Sequence, residues 1–368
     1  MRVIVVGAGV VGSGLAWRLA SQGQETVLVE RGRPAAGTTG SSFSWYNANS
    51  KRPEDYFRLN LAGMEAHIAL RAELGDAPWY HEGGNLVWSA GDAWMDSGEI
   101  EEELETRVAE LQGWDYPAEW IPVAEAQELE PNVDFGETEQ AAFFRTEGWI
   151  DGPLLAATMA RRAAGAGAEV RYACEVVGLE TAEGRIAGVR LANGETLSGD
   201  LVMNCAGPWA DKLAALAGRN LPLAPTLGFV TRVSGVPEGL IRRVMHAPKL
   251  HMRPDGGGLI ALHHHAADAG ISAGDKPWEW AGKLVARFKA YVPEATAARV
   301  SRWTLATRPI PADGRTSAGL LPALPGYGEI VTHSAITMGA LLPKIIAHEI
   351  LTGEVDPLLA NFRPERFG

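Results

Sequence analysis

Behind Met1-Arg2 the chain enters a run with no polar position in it. Val3-Ile4-Val5-Val6 is an unbroken β-branched stretch, the pattern of a strand covered on both faces. Gly7-Ala8-Gly9-Val10-Val11-Gly12 follows at once, and the apolar stretch through Leu15, Leu19 and Ala20 predicts a helix. Val27-Leu28-Val29-Glu30 predicts a second strand closed by an acid. Ile100, Leu104, Val108 and Leu111 recur at helical spacing, so the acids of residues 92–130 become the solvated side of a helix with one apolar face. A helix over about 153–164 comes next. Strands at 169–172 and 186–191 are predicted to flank the turn Ala192-Asn193-Gly194-Glu195. A strong apolar strand at 200–205 ends in Ala206-Gly207-Pro208-Trp209. Phe229-Val230-Thr231, Leu259-Ile260-Ala261-Leu262 and residues 330–332 are further strand candidates, and a helix near 341–351 is stopped by Gly353. No repeat and no linker-like stretch is visible, so two domains would have to interleave.

Composition narrows the class. The 368 residues, 46% apolar and 21% charged, suffice for one large or two medium domains with a buried core. The 43 Gly and 22 Pro follow no period, which excludes collagen-like and low-complexity chains and suits a loop-rich α/β enzyme. A formal net charge of −12 argues against nucleic acid or an anionic membrane as principal partner. Cys174 and Cys205 are too few for a disulfide framework and lack CxxC spacing, so a reducing cytosol is the default compartment. Arg2 and the apolar run behind it mimic a signal peptide, but Gly7, Gly9, Gly12 and Gly14 interrupt it and no clean cleavage site follows. No other run approaches the ~18 apolar residues of a membrane span. A soluble cytoplasmic protein without a transmembrane segment is expected.

The first turn carries the chemistry. In G-x-G-x-x-G the glycines allow a tight turn and close approach of a pyrophosphate, which then sits at the positive end of a helix. Here a strand precedes, a helix follows, and Glu30 stands 18 residues after Gly12, placed to accept from two ribose hydroxyls. An acid there repels a 2′-phosphate, so NADP is disfavoured. An ordinary NAD domain would then run into a helix and a third strand. Residues 31–44 instead are rich in small and hydroxyl side chains, including Thr38, Thr39, Ser41 and Ser42, which suit a longer cofactor.

This segment resembles the FAD-dependent D-amino acid oxidase, glycine oxidase and sarcosine oxidase superfamily. Three further blocks resemble it too: the strand ending in Ala206-Gly207-Pro208-Trp209, Thr307-Arg308-Pro309 with Asp313-Gly314, and Thr332-His333-Ser334-Ala335-Ile336-Thr337-Met338-Gly339. They occur in the family's order along the whole chain, with looser similarity over 76–145 and 216–304. The resemblance implies an α/β (α+β) fold in which a Rossmann-like FAD-binding domain (1–75, 146–215, 305–368) interleaves with a smaller substrate domain on an antiparallel sheet (76–145, 216–304). It implies Gly7, Gly9 and Gly12 at the pyrophosphate and Glu30 at the ribose, with Val10 and Arg31 also among the cofactor-binding residues. Thr38, Thr39, Ser41 and Ser42 would lie towards the flavin, and Val176 at the adenine. Ala206, Gly207 and Trp209 would lie beside the ADP part, with Ala335, Ile336 and Thr337 against the isoalloxazine ring. Ala335 departs from the glycine common there. Some relatives attach the flavin through a cysteine in the C-terminal third or a histidine near the second glycine turn. This sequence has neither, which implies non-covalent FAD.

The resemblance makes Arg308 a bidentate clamp for a substrate carboxylate, which suits the planar guanidinium fork. The alternative is an arginine bonded to backbone or to Asp313. A second arginine that glycine oxidase-like members carry near position 335 is missing, which argues against glycine and other doubly anchored small acids. His333 either orients the flavin or substrate, or serves its loop alone. In a strand His263 and His265 would share one face and His264 the other. No Cys/His partner spacing accompanies them, so no metal site is expected, although one of the three could line the active site. Trp45, Trp79, Trp88 and Trp303 fall in or near segments expected around the flavin. The reaction implied is oxidation of the carbon–nitrogen bond of an amino acid or amine, with oxygen or another electron acceptor closing the cycle. The alternatives are a 2-hydroxy acid dehydrogenase on the same fold and a non-catalytic nucleotide-binding module. A flavin monooxygenase is disfavoured, because its late Gly-Asp motif is replaced by Thr332-His333-Ser334-Ala335.

Overall fold

The computed structural model describes residues 1–88 and 104–368. Strand Arg2–Val6 lies inside a six-stranded sheet. Across the sheet the order is Ser317–Leu320, Tyr327–Val331, Leu201–Asn204, Arg2–Val6, Glu25–Val29 and Glu169–Arg171. All neighbours are parallel except the first two. The opening apolar run has two covers. Val3 and Val5 cluster with residues of helices Val10–Ser21, Gly152–Gly165 and Leu341–Thr352. Ile4 and Val6 cluster with the three-stranded sheet Val176–Ala182, Arg185–Leu191 and Thr196–Ser198 and with helix Ala210–Leu216. Each fully buried side chain of this size contributes about 1.5–3 kcal/mol, and the period-two alternation sends successive residues to opposite layers.

The turn at 192–195 is where it was predicted but joins a different pair. It connects Arg185–Leu191 to Thr196–Ser198, whereas Glu169–Arg171 runs parallel to Glu25–Val29 in the main sheet. Local turn chemistry marks a reversal without naming the partner of a strand whose neighbour is far off in sequence. Helix Leu104–Gly113 buries Leu104, Val108 and Leu111, the predicted face, while Ile100 lies outside the described residues.

A second, eight-stranded sheet has the order Arg299–Pro311, Leu223–Ser234, Ile260–His263, Leu250–Pro254, Val244–Ala247, Asn85–Val87, Gln140–Phe144 and Ala118–Pro122. One face packs on helix Pro277–Tyr291 through Trp280, Leu284 and Phe288. The strand predicted at 259–262 ends at His263; His264 caps a helix that begins at His265, so the three histidines do not share one strand. Among the described residues no helix is long and apolar enough to cross a membrane.

Helix Glu54–Leu74 supports the C-terminal turn. His67, 1% exposed, donates from Nε2 to the Ile336 carbonyl at 2.9 Å, and its buried Nδ1 has no hydrogen-bond partner. Charging the ring would place a proton on that Nδ1, and burial pushes its pKa down from 6.5 to about 4. The fold therefore favours the neutral ring, so its stabilisation is complete above pH 6.5 and is lost as pH falls through 4. In His67→Gln, which keeps a donor for Ile336 without titrating, the loss of unfolding free energy between pH 6.5 and 4 should be smaller by on the order of 3 kcal/mol. Denaturant unfolding at several pH values measures this; parallel pH profiles for the two proteins contradict it.

Candidate active site

At the C-terminal ends of the parallel strands the sheet opens into a cavity of about 500 Å³. Ligands bind in this position in open parallel sheets, and the volume falls within the range of ligand pockets. The glycine turn forms one wall. Gly7 has a φ of +108°, and a Cβ on it would meet the Cys205 carbonyl oxygen at 2.4 Å. A Cβ on Gly12 would meet the Gly7 carbonyl oxygen at 1.9 Å. Both positions accept only glycine, and the turn stays open as a cradle at the helix start. No side chain of Gly9 caps that helix; Thr39 Oγ1 reaches the Val10 amide at 3.3 Å. Amides at such a start and the helix dipole favour an anionic group.

Glu30 follows the second strand and lines the cavity. Its carboxylate accepts from the Ala8 amide at 2.9 Å and the Gly32 amide at 2.8 Å. About half of a carboxylate's four acceptor positions are thereby fixed by backbone, and the remainder serve a ligand. Arg31 stacks on Trp209, guanidinium carbon to ring centroid 3.5 Å, and both line the cavity together with Val176, Ala206 and Gly207. Thr38, Thr39 and Ser42 line it too, and Thr38 Oγ1 donates to the Thr307 carbonyl at 2.9 Å, tying this segment to the long strand that carries Arg308.

The opposite end of the cavity is made by the turn after Tyr327–Val331, with His333, Ala335 and Ile336 on its wall. The Ser334 hydroxyl lies 2.9 Å from Tyr56 Oη, and the Ser334 amide donates to Thr332 Oγ1 at 3.1 Å. His333 is exposed to the cavity it lines. Its pKa is held below the ordinary histidine range by the surrounding protein and then by the positive charges of Lys51 and Arg308.

Some expected residues stand beside or behind the cavity wall rather than on it. Gly12 and Ser41 do not line this cavity, and Thr337 is buried behind it, bonded through Oγ1 to the backbone of Asn47 at 3.3 Å. None of Trp45, Trp79, Trp88 and Trp303 lines it. Trp79 and Trp88 are core residues, Trp45 donates to buried Glu147 at 2.8 Å, and Trp303 is exposed. Lys212, in the helix after the Ala206-Gly207-Pro208-Trp209 block, lines the cavity without having been anticipated. A basic residue one turn into a helix beside a pyrophosphate wall was a readable signal.

Arg308 lies outside the cavity wall, which Pro309 reaches. It donates to the Leu227 carbonyl and to the Asp268 carboxylate, whereas Asp313 pairs with Arg366. Asp268, 7% exposed, also accepts from the Phe229 amide at 2.7 Å; burial raises its pKa against the pull of Arg308. This acid, 40 residues from its partner, leaves no local signal in the sequence.

The cradle, the fixed acid and the hydroxyl segment fit a dinucleotide with a long far end. Cys205 backs the glycine turn and Cys174 donates its amide to the Glu30 carbonyl, so neither thiol belongs to the His333 end. Acid precipitation should therefore leave the yellow colour in the supernatant; a yellow pellet contradicts non-covalent binding. Glu30→Gln replaces charge-assisted bonds by neutral ones about half as strong and strands one of the two amides the acid now accepts from. Its dissociation constant for FAD should rise roughly tenfold or more, measured by fluorescence titration of the stripped protein. Unchanged affinity places the ribose elsewhere.

Residues 2–348 match the family model described as FAD dependent oxidoreductase. The chain is 23% identical to a glycine oxidase of Bacillus licheniformis over 87% of this chain and 84% of that protein. Its fold superposes on the glycine oxidase of Geobacillus kaustophilus with a TM-score of 0.82 at 22% identity, covering 98% of each chain. It also superposes on an L-amino acid deaminase of Proteus vulgaris with a TM-score of 0.83 at 20% identity, covering 99% of this chain and 93% of the other. The cradle for a dinucleotide thus stands in a chain that belongs to the D-amino acid oxidase-type family of FAD-dependent oxidoreductases.

Proposed function

We propose that this flavoenzyme oxidises the carbon–nitrogen bond of an amino acid or a related amine acid, with Arg308 holding the substrate carboxylate. The observation that carries the reading is the Arg308–Asp268 pair one residue from the cavity wall. Relatives named glycine oxidase and L-amino acid deaminase support the substrate class. When bound, FAD supplies a two-electron oxidant that accepts a hydride from the carbon bearing nitrogen, so the substrate leaves as an imine that water hydrolyses. The chain's own part is orientation and charge. A substrate carboxylate takes the guanidinium fork from Asp268, and Asp268 turns to the substrate nitrogen. A ligand with both groups satisfies both side chains, whereas a simple amine satisfies one. His333, on the cavity wall, offers a hydrogen bond at the far end.

A charged hydrogen bond of this kind contributes on the order of 1.5–3 kcal/mol. Arg308→Ala should lower kcat/KM for the best carboxylate substrate about tenfold to a hundredfold, and Arg308→Lys should recover part of it, since a point charge lacks the fork. The same amine without a carboxylate should change little. Removing Arg308 alone leaves Asp268 buried without its counter-charge, so FAD content and thermal unfolding are checked throughout to separate structural damage from lost substrate binding. Anaerobic bleaching against amines, amino acids and 2-hydroxy acids is the readout. Full activity of Arg308→Ala on its carboxylate substrate favours a simple amine, and bleaching by 2-hydroxy acids alone overturns the carbon–nitrogen reading.

A further inference from the structure

Beside Asp268 and Arg308, the eight-stranded sheet carries a group of histidines to which the proposed reaction assigns no role. Alternation puts Met245, Leu250, Met252 and Leu262 in the apolar layer under the helix and turns His246, His251 and His263 the other way. Register sets them side by side, His246 opposite His251 and His251 opposite His263. Because the chain leaves the strand at His263 and enters a helix at His265, a further imidazole joins this face from outside the sheet. The rings of His251, His263 and His265 form a nearly equilateral triangle. Their centroids are 5.5, 5.4 and 5.1 Å apart, and their planes cross at 70°, 80° and 81°. One ligand atom from each lies within 4.8 Å of those of the other two.

We propose that His251, His263 and His265 form a binding site for a divalent transition ion of the zinc type. Distance supports it first. A tetrahedral ion with Zn–N bonds of about 2.0–2.1 Å sets its imidazole centroids roughly 5 Å and its ligand nitrogens roughly 3.4 Å apart, so the three nitrogens, now within 4.8 Å of one another, close by up to about 1.5 Å, within reach of ring rotation. Protonation supports it next. His263 Nδ1 lies 3.0 Å from the Phe229 carbonyl, which can only accept, so Nδ1 carries the proton and Nε2 presents a bare lone pair. Orientation of a ligating histidine by a backbone carbonyl on its other nitrogen is a recurring device of metal sites. His251 is 3% exposed, and its Nε2 has no hydrogen-bond partner, an uncommon state for a polar atom at that depth.

The surroundings agree. Asp268 Oδ2 lies 3.8 Å from His263 Nε2 and brings negative charge to that side, shared with Arg308. Phe43 packs over the cluster, with its ring centroid 5.8 Å from His263 and 6.4 Å from His251. Three imidazoles leave a fourth position for water or a donor atom of a small molecule, the arrangement of zinc sites that are not purely structural. The run of three histidines gave no metal-ligand spacing in the sequence because His264 turns to cap the helix and the missing ligand comes from the neighbouring strand.

The test uses the tag-free holoprotein, treated with chelator and titrated with Zn²⁺ by calorimetry, with metal content counted after gel filtration. One Zn²⁺ per chain is expected. His251→Gln should weaken the affinity by at least roughly a hundredfold, since even a residue that only orients a ligand is worth ten- to hundredfold. His265→Gln, at the first residue of its helix, is the second variant should His251→Gln disturb the fold, and FAD absorbance reports folding in both. X-ray absorption at the zinc edge should show imidazole nitrogen at the short distance. Absence of stoichiometric uptake by the parent overturns the proposal. So does uptake that both glutamine variants retain undiminished, which marks adventitious surface binding.

Discussion

Between the carbonyl oxygen of Gly7 and Gly12 at the start of the following helix there is no room for a side-chain carbon, and a side chain on Gly7 itself would meet the carbonyl of Cys205, which follows the next parallel strand. That contact lets the helix begin directly on the strand end, and it aims the helix axis into the cavity. The other walls are tied to it. The Ala8 amide meets the Glu30 carboxylate, the Val10 amide meets Thr39, and the Gly7 amide donates to the Val29 carbonyl at 2.8 Å. A side chain at either glycine would separate the turn from three strands at once.

The opposite wall is held by polar contacts rather than close packing. Arg219 and Glu329, 6% and 0% exposed, form a fork at 2.9 and 3.0 Å, and the Ser317 hydroxyl donates to the same carboxylate at 2.6 Å. A buried pair of this kind contributes little net stability over an apolar replacement, but breaking it by removing one partner is costly. Its place is informative. It fixes strand Tyr327–Val331, which delivers His333, while His67 and Tyr56 hold the following turn from the long helix beneath.

The sequence was legible where chemistry is local. Val3 to Val6, the glycine turn, Glu30, helix Gly152–Gly165 and the Gly353 stop at φ +78° can each be read from a few adjacent residues. It was illegible where partners come from afar. The neighbour of Glu169–Arg171 is 140 residues upstream or more, and Asp268 meets Arg308 only because two strands and a helix fold over each other. The strand period misplaces His265 because it carries two residues past the strand's end. Tryptophan count was a poor guide, since large rings fill cores as readily as pockets.

Asp268 also bears on ions that are never oxidised. A lone guanidinium in a cleft behaves as an anion-exchange resin, and chloride, phosphate or any metabolite with a negative end would occupy it. Here the exchanger carries its own fixed counter-ion, held in turn by the Phe229 amide. An inorganic anion that displaced it would strand a buried carboxylate, a penalty of about 3–5 kcal/mol by analogy with other broken buried pairs. Salt is thereby kept off the arginine without any steric barrier. On the proposed reading, the Arg308–Asp268 pair selects a dipole rather than a charge.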